Sequence, residues 1–154
     1  MGRTVTLGEL KRELRDRSGK TIVTTNGCFD VLHVGHVRLL RAAKAGGDVL
    51  VVAVNDDESV ARLKGRGRPL VPLADRLEIL AALEPVDYVV PFSEDTPEAI
   101  LGAIRPDVHV KGGDYREEDL PEATVVRAHG GRVEIVPLVQ GRSTSGLLER
   151  LGEA

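Results

Sequence analysis

Five short runs rich in β-branched residues, Thr21–Thr25, Val49–Val54, Tyr88–Phe92, Val108–Val110 and Val133–Val139, are separated by stretches of helical periodicity. Several of these runs are continuously apolar rather than alternating, the pattern of parallel strands covered on both faces. The intervening stretches Val34–Ala45, Asp57–Leu63, Leu73–Leu83, Pro97–Ile104 and Pro121–His129 read as helices, with a last short helix from about Thr144 to Leu151. Near the start, Thr6-Leu-Gly-Glu9 has the spacing of a capping box ahead of an apolar stripe of Leu7, Leu10 and Leu14, and Gly19 is placed as a stop. Gly46-Gly47 and Gly130-Gly131 are placed to end helices, and Thr96-Pro97 to begin one with a threonine cap and a proline in first position. The alternation predicts one α/β domain, a doubly wound sheet of about five parallel strands with helices on both faces. It comprises an N-terminal helix over residues 1–19 and a core over 20–154.

Composition narrows the partners. The 154 residues carry a formal net charge of −3 and 29% charged residues, so there is no overall basic field for nucleic acid, and an anion site must be local. Aromatics at 3% argue against a base-stacking platform. No apolar stretch has the length of a bilayer crossing and the start lacks a signal-peptide pattern, so no membrane association is expected. The single cysteine, Cys28, rules out an internal disulfide and fits the reducing cytoplasm.

Open sheets of this kind bind ligands at the carboxyl ends of their strands, where the strand order reverses. The segments following the first, fourth and fifth runs are Asn26-Gly-Cys-Phe-Asp-Val-Leu-His-Val-Gly-His36, Lys111-Gly-Gly-Asp-Tyr115 and Gln140-Gly-Arg-Ser-Thr-Ser145. All are rich in glycine, hydroxyl or cationic groups, and the fold brings them to one edge. His33 and His36 straddle a helix start, where free amides and the positive end of the helix dipole favour an anion. Gly35 lets a nucleotide approach the backbone. Lys44 lies eight residues beyond His36, about 12 Å along the axis; its side chain leans toward the N-terminus and can reach a phosphate tail. Taken alone, two histidines beside a helix start are ordinary partly buried polar residues. Their spacing is not the i, i+4 of a zinc helix, and no protein metal ligands are expected.

The whole string of strand, Asn-Gly-x-Phe-Asp, His-x-Gly-His, helix and lysine resembles the cytidylyltransferase-like nucleotidyltransferase superfamily. From about residue 20 onward the chain is similar to the D-glycero-β-D-manno-heptose 1-phosphate adenylyltransferase group within it. The match is carried by Thr25-Asn-Gly-Cys-Phe-Asp30, Val52-Ala-Val-Asn-Asp56, Arg62-Leu-Lys-Gly65 with Arg68-Pro69, Glu94-Asp-Thr-Pro97, Val110-Lys-Gly-Gly-Asp-Tyr115 and Ser143-Thr144. The resemblance implies a Rossmann-like fold and transfer of AMP from ATP to heptose 1-phosphate, giving ADP-heptose and pyrophosphate. By that resemblance His33, His36 and Lys44 stabilise the triphosphate and its developing charge, while Ser143, Thr144 and Ser145 hold the outer phosphates. Mg²⁺ bridges the phosphates without a dedicated protein cage.

Gly27, Cys28, Phe29, Lys111, Gly112, Gly113 and Asp114 belong to the nucleotide loops, Cys28 as a packing residue rather than a thiolate. Asn26, Asp30, Asn55, Lys64 and Arg76 are assigned to the acceptor. Asp30 reads equally as an orienting group for a histidine, an aid to magnesium or a turn residue, and Lys64, Arg66, Arg68 and Arg76 as a phosphate-facing cluster or a solvated face. Many relatives carry a sugar kinase domain ahead of this one. Only about twenty residues precede the first run here, so a stand-alone enzyme fed by a separate kinase is expected, and the family pattern implies a homodimer. Arg142, where relatives vary, adds a further positive charge. Two alternatives stand beside this reading: a glycerol 3-phosphate cytidylyltransferase, and a non-catalytic nucleotide-binding module.

Overall fold

The computed structural model describes residues 2–137 and 143–153. In chain order the elements are β1 (Arg3–Thr4), α1 (Leu7–Glu13), β2 (Ile22–Gly27), α2 (Val34–Ala45), β3 (Val49–Asn55), α3 (Asp57–Lys64), α4 (Leu73–Ala81), β4 (Tyr88–Phe92), α5 (Glu98–Ile104), β5 (Val108–Gly112), α6 (Pro121–Ala128), β6 (Arg132–Val136) and α7 (Thr144–Glu153), with one 3₁₀ turn at Glu117–Asp119. The strands form a single parallel sheet in the order β1-β4-β3-β2-β5-β6. From β2 the chain steps outward through β3 to β4, then returns to the other side of β2 for β5 and β6, so the order reverses between β2 and β5. A doubly wound α/β domain has its ligand crevice at that reversal.

The alternation of side chains along each strand divides the core in two. On one face Ile22, Val51, Ala53, Val90 and Phe92 pack under α1, α5 and α6 through Leu10, Ile100, Leu101, Ile104 and Val126. On the other, Val23, Val52, Val54, Val89, Val108 and Val110 pack under α2 and α4 through Leu40, Ala43 and Leu80. These are termed the α5 face and the α2 face.

The five predicted strands are present, with shifted ends. The last ends at Val136, and the expected continuation to Val139 lies outside the described residues, as do Gln140, Gly141 and Arg142. A sixth strand, β1, precedes them, pairing Arg3 with Tyr88 and Thr4 with Val89. The N-terminal segment is thereby built into the sheet edge, and Val5, Leu10 and Leu14 join the α5-face core. The capping box of α1 closes as the spacing implies: Glu9 N donates to Thr6 Oγ1 at 3.1 Å and Thr6 N to Glu9 Oε1 at 3.2 Å. That helix ends at Glu13, ahead of Gly19. At α5 the expected threonine cap is corrected. Pro97 is itself the N-cap residue, and the Thr96 hydroxyl donates to the Glu98 carboxylate at 3.2 Å rather than capping a backbone amide. Among the described residues no helix is long and apolar enough to cross a membrane.

Candidate active site

The N-terminus of α2 is capped by two histidines acting on each other's turn. Nδ1 of His33, the N-cap residue, accepts from Gly35 N at 3.0 Å, and His36 Nδ1 accepts from His33 N at 3.2 Å. A ring nitrogen that accepts an amide proton carries none of its own, so each neutral imidazole bears its hydrogen on Nε2 and offers it as a donor. The two rings lie 4.0 Å apart between centroids, and the Phe29 ring stands 5.5 Å from that of His36. Burial, with His33 as a minor contributor, pushes His36 down to about 4, and burial also lowers His33. The corner is therefore a pair of neutral donors at the positive end of a helix.

Phe29 reaches this position from a left-handed backbone, φ 49°, costly for a side chain with a Cβ. Gly27 makes room for it: a Cβ there would lie 3.1 Å from Phe29 Cε2. Gly112, at the end of β5, is equally close to Leu39, where a Cβ would meet Cδ2 at 3.2 Å.

The corner opens onto a cleft at the β2–β5 reversal that has two overlapping halves. The half on the α2 face, about 380 Å³, is lined by His33, Gly35, His36, Gly112, Ser143, Thr144 and Ser145, among others. The half on the α5 face, about 500 Å³, is lined by Asp30, Asn55, Thr96, Glu122 and their neighbours. Asn26, Gly27, Cys28, Phe29, His36, Lys64, Lys111, Tyr115, Thr144 and Ser145 line both. At the start of α7, Ser143 Oγ accepts from Gly146 N at 2.9 Å, and the Thr144 hydroxyl donates to Val31 O at 2.7 Å. The second contact ties α7 to the loop leading into α2, so two helix N-termini meet at one cleft. The Lys111 ammonium sits 5.2 Å from the centre of the Tyr115 ring.

Other assigned residues are placed differently. Lys44 is turned away from the cleft: its ammonium donates to Asp48 O and to Asp87 Oδ2, both at 2.6 Å, at the amino end of the sheet. The expectation that it leans back to a phosphate is corrected, because the carboxylate and the carboxyl end of α2 attract a cation more closely than any group up the helix. Arg76 is buried to 1% exposure and serves as a strut. Its guanidinium donates to Cys28 O at 2.6 Å, Asn55 O at 2.7 Å, Val71 O at 2.9 Å and Asp57 Oδ1 at 2.7 Å, joining the ends of β2 and β3 to the starts of α3 and α4. It does not face an acceptor.

Asp30 is likewise consumed, by Arg68 Nε at 2.7 Å and by the amides of Leu70 and Val71. Burial acts to raise its carboxyl, but these donors together outweigh it and hold the group low. The carboxylate thus anchors the loop before α4 and contacts no histidine. Of the basic cluster, Lys64 and Arg68 line the cleft, whereas Arg66 is exposed outside it. Gly113 and Asp114 are not among the lining residues; Gly113, at φ 132°, makes the turn, donating to Val136 O at 2.9 Å.

Cys28 is half-buried, and burial raises its thiol, so it packs as an un-ionised group. Asn55 Nδ2 donates to Glu94 O at 3.4 Å. The carboxamide oxygen of Asn26 is sealed from solvent and lacks a hydrogen-bond partner among the described residues, a deficit of about 1–3 kcal/mol in a folded protein. Sequence reasoning missed Arg38, Leu39, Thr96 and Glu122 as lining residues. The one signal available for Glu122 was its position just after Pro121, at the start of the helix following the fourth predicted strand.

Among the described residues no group of three or more His, Cys, Asp or Glu side chains is arranged to hold a metal ion. The donors at the cleft are imidazole, hydroxyl, amide and ammonium groups, which suit phosphate oxygens rather than a bare cation.

Comparison with known proteins identifies the family. The Cytidylyltransferase-like family matches residues 24–138. The bifunctional protein HldE of Alkalilimnicola ehrlichii is 57% identical over 136 residues, covering 88% of this chain and 28% of that protein. HldE of Streptomyces coelicolor is 54% identical over 146 residues, 95% and 31% respectively. The chain thus spans less than a third of the length of these relatives. Among solved structures, a lipopolysaccharide core biosynthesis protein from Thermoplasma volcanium superposes with a TM-score of 0.65 at 30% identity, covering 79% of this chain and 98% of that one. A pantoate-beta-alanine ligase from Francisella tularensis shares the fold, with a TM-score of 0.59 at 14% identity, covering 94% and 69%. With the family match running from β2 to the end of β6 and including the histidine corner, the chain belongs to the cytidylyltransferase-like family of nucleotidyltransferases.

Proposed function

We propose that the protein transfers AMP from ATP to D-glycero-β-D-manno-heptose 1-phosphate, releasing pyrophosphate and ADP-heptose. The observation that carries the reading is the paired histidine cap, which holds two neutral Nε2–H donors at the start of α2, facing a cleft shared with the start of α7. Similarity above 50% to HldE proteins over most of the chain supports a heptose phosphate as the acceptor.

In this reading an oxygen of the sugar phosphate attacks the α-phosphorus in line. A new P–O bond forms as the bond to the β-phosphate oxygen breaks, and pyrophosphate carries away the electron pair. The nucleophile is already an anion, so no base or covalent intermediate is needed, and catalysis rests on placement and charge stabilisation. His33 and His36 donate to the oxygens that gain charge. Ser143 to Ser145 and the start of α7 receive the outer phosphates. Lys64 and Lys111, which line both halves of the cleft, supply the positive charge first assigned to Lys44. Magnesium would accompany ATP as part of the substrate and supply positive charge to its phosphates.

Pyrophosphate release measured with ATP or CTP, each against heptose 1-phosphate or glycerol 3-phosphate, tests the reading. Turnover is expected with ATP and the heptose phosphate. Activity confined to CTP would replace this assignment with a cytidylyltransferase, and binding of ATP without turnover on any acceptor would leave a non-catalytic module.

A further inference from the structure

The two faces of the sheet end differently at the cleft. On the α2 face the rows Val23–Thr25–Gly27 and Val108–Val110–Gly112 finish in glycine, leaving bare backbone beside the histidine corner. On the α5 face the rows Ile22–Thr24–Asn26, Val51–Ala53–Asn55 and His109–Lys111 finish in two carboxamides and an ammonium. The first rim suits a nucleotide laid against backbone. The second is a set of directional hydrogen-bonding side chains.

Glu122 adds to the second rim. Pro121 starts α6 and sets Glu122 in its first turn, where the residue is 2% exposed and lines the α5-face half of the cleft. A buried carboxylate repels phosphate oxygens, so the part of the ligand beside it must be something else. A carboxylate accepts hydrogen bonds and donates none, and its natural partner in a cleft is a hydroxyl. The unpartnered Asn26 oxygen is a second acceptor on the same rim. Buried polar atoms lacking partners are rare enough in native structures to require a reason, and a ligand hydroxyl donated to Asn26 would supply one.

Resting on the nucleotidyl-transfer reading, we infer that Glu122, with Asn26 and Asn55, reads hydroxyl groups of a polyhydroxylated sugar phosphate in the α5-face half of the cleft and selects against short acceptors that do not reach it. Sites built to bond a substrate hydroxyl discriminate strongly, because an analogue lacking it leaves buried polar groups unpaired.

Steady-state kinetics of the full chain, varying heptose 1-phosphate and ATP separately, test this. Glu122→Gln keeps the shape and removes the charge. It is expected to raise the KM for heptose 1-phosphate by about 10–100-fold, the scale of a lost charged hydrogen bond, with the KM for ATP within about twofold. The preference for heptose 1-phosphate over glycerol 3-phosphate should narrow by a similar factor. Should Glu122→Gln fail to fold, Glu122→Asp, which keeps the charge and withdraws it by one methylene, provides the reading, with an expected rise of about threefold to tenfold in the acceptor KM alone. An unchanged acceptor KM in the folded variant, or an equal rise in both KM values, overturns the inference. Absence of turnover by the unmodified protein with ATP and heptose 1-phosphate overturns the proposed function instead.

Discussion

His33 and His36 cap one helix turn together, each ring taking a backbone amide proton at Nδ1 so that both keep Nε2–H for a ligand. Structure and chemistry are coupled here, because protonating either ring at Nδ1 would break a cap. Removing His36 removes a preorganised donor. His36→Ala is expected to lower kcat by about 10²–10³. A turnover number within a few-fold of the unmodified protein, in a variant with an unaltered circular dichroism spectrum, would remove His36 from the mechanism.

Lys44 is assigned a structural place by its contacts with Asp87 and Asp48. Both partners of the ion pair are about a third exposed, at 33% and 37%, so the pair is worth about 0–1 kcal/mol. Lys44→Met should leave kcat within about twofold and lower the thermal midpoint slightly. A hundredfold loss of turnover would restore the lysine to the phosphate site.

Arg76 supplies donors to three backbone carbonyls from three separate segments of the chain while pairing with Asp57. Arg76→Met would strand those carbonyls, and a loss of about 3–5 kcal/mol is expected, as for breaking a buried charged network. Urea unfolding measures it. A change under about 1 kcal/mol would show that the strut is dispensable.

Stability should depend on pH through two imidazoles, one buried and one half-buried. His109, wholly buried and bonded through Nδ1 to Thr24 Oγ1 at 2.8 Å, is pushed down to about 3 by burial, with Lys111 adding to the effect; His36 falls to about 4. In the unfolded chain both titrate near 6.5. Between those values the unfolded state binds more protons, so stability rises with pH through the window. It is fully present above about pH 6.5 and is lost progressively as the pH falls toward 4 and then 3. Denaturant midpoints across pH 3.5–8 report the slope, and replacing His109 by Gln should flatten it; an unchanged slope would remove His109 from the linkage.

The strands were legible because parallel strands buried on both faces need unbroken apolar runs, and Val49–Asn55 has one. The edge strand β1 was not: Arg3 and Thr4 are exposed and carry no pattern, and their pairing depends on an open edge of β4 far along the chain. The histidine corner was legible for the opposite reason. Its cap, its amides and its glycine lie within four residues, so spacing alone specifies the geometry.

The amino-acid sequence by itself determined the α/β class and the two histidines at a helix start, both consequences of local periodicity and short-range hydrogen bonding. Only the tertiary structure decided which charged side chains face the cleft. Lys44 is claimed by a carboxylate 43 residues away, Asp30 by amides 40 and 41 residues away, and Arg76 by a carbonyl 48 residues away. A long side chain settles on whichever partner the fold brings within 3 Å, and chain spacing carries no record of that choice.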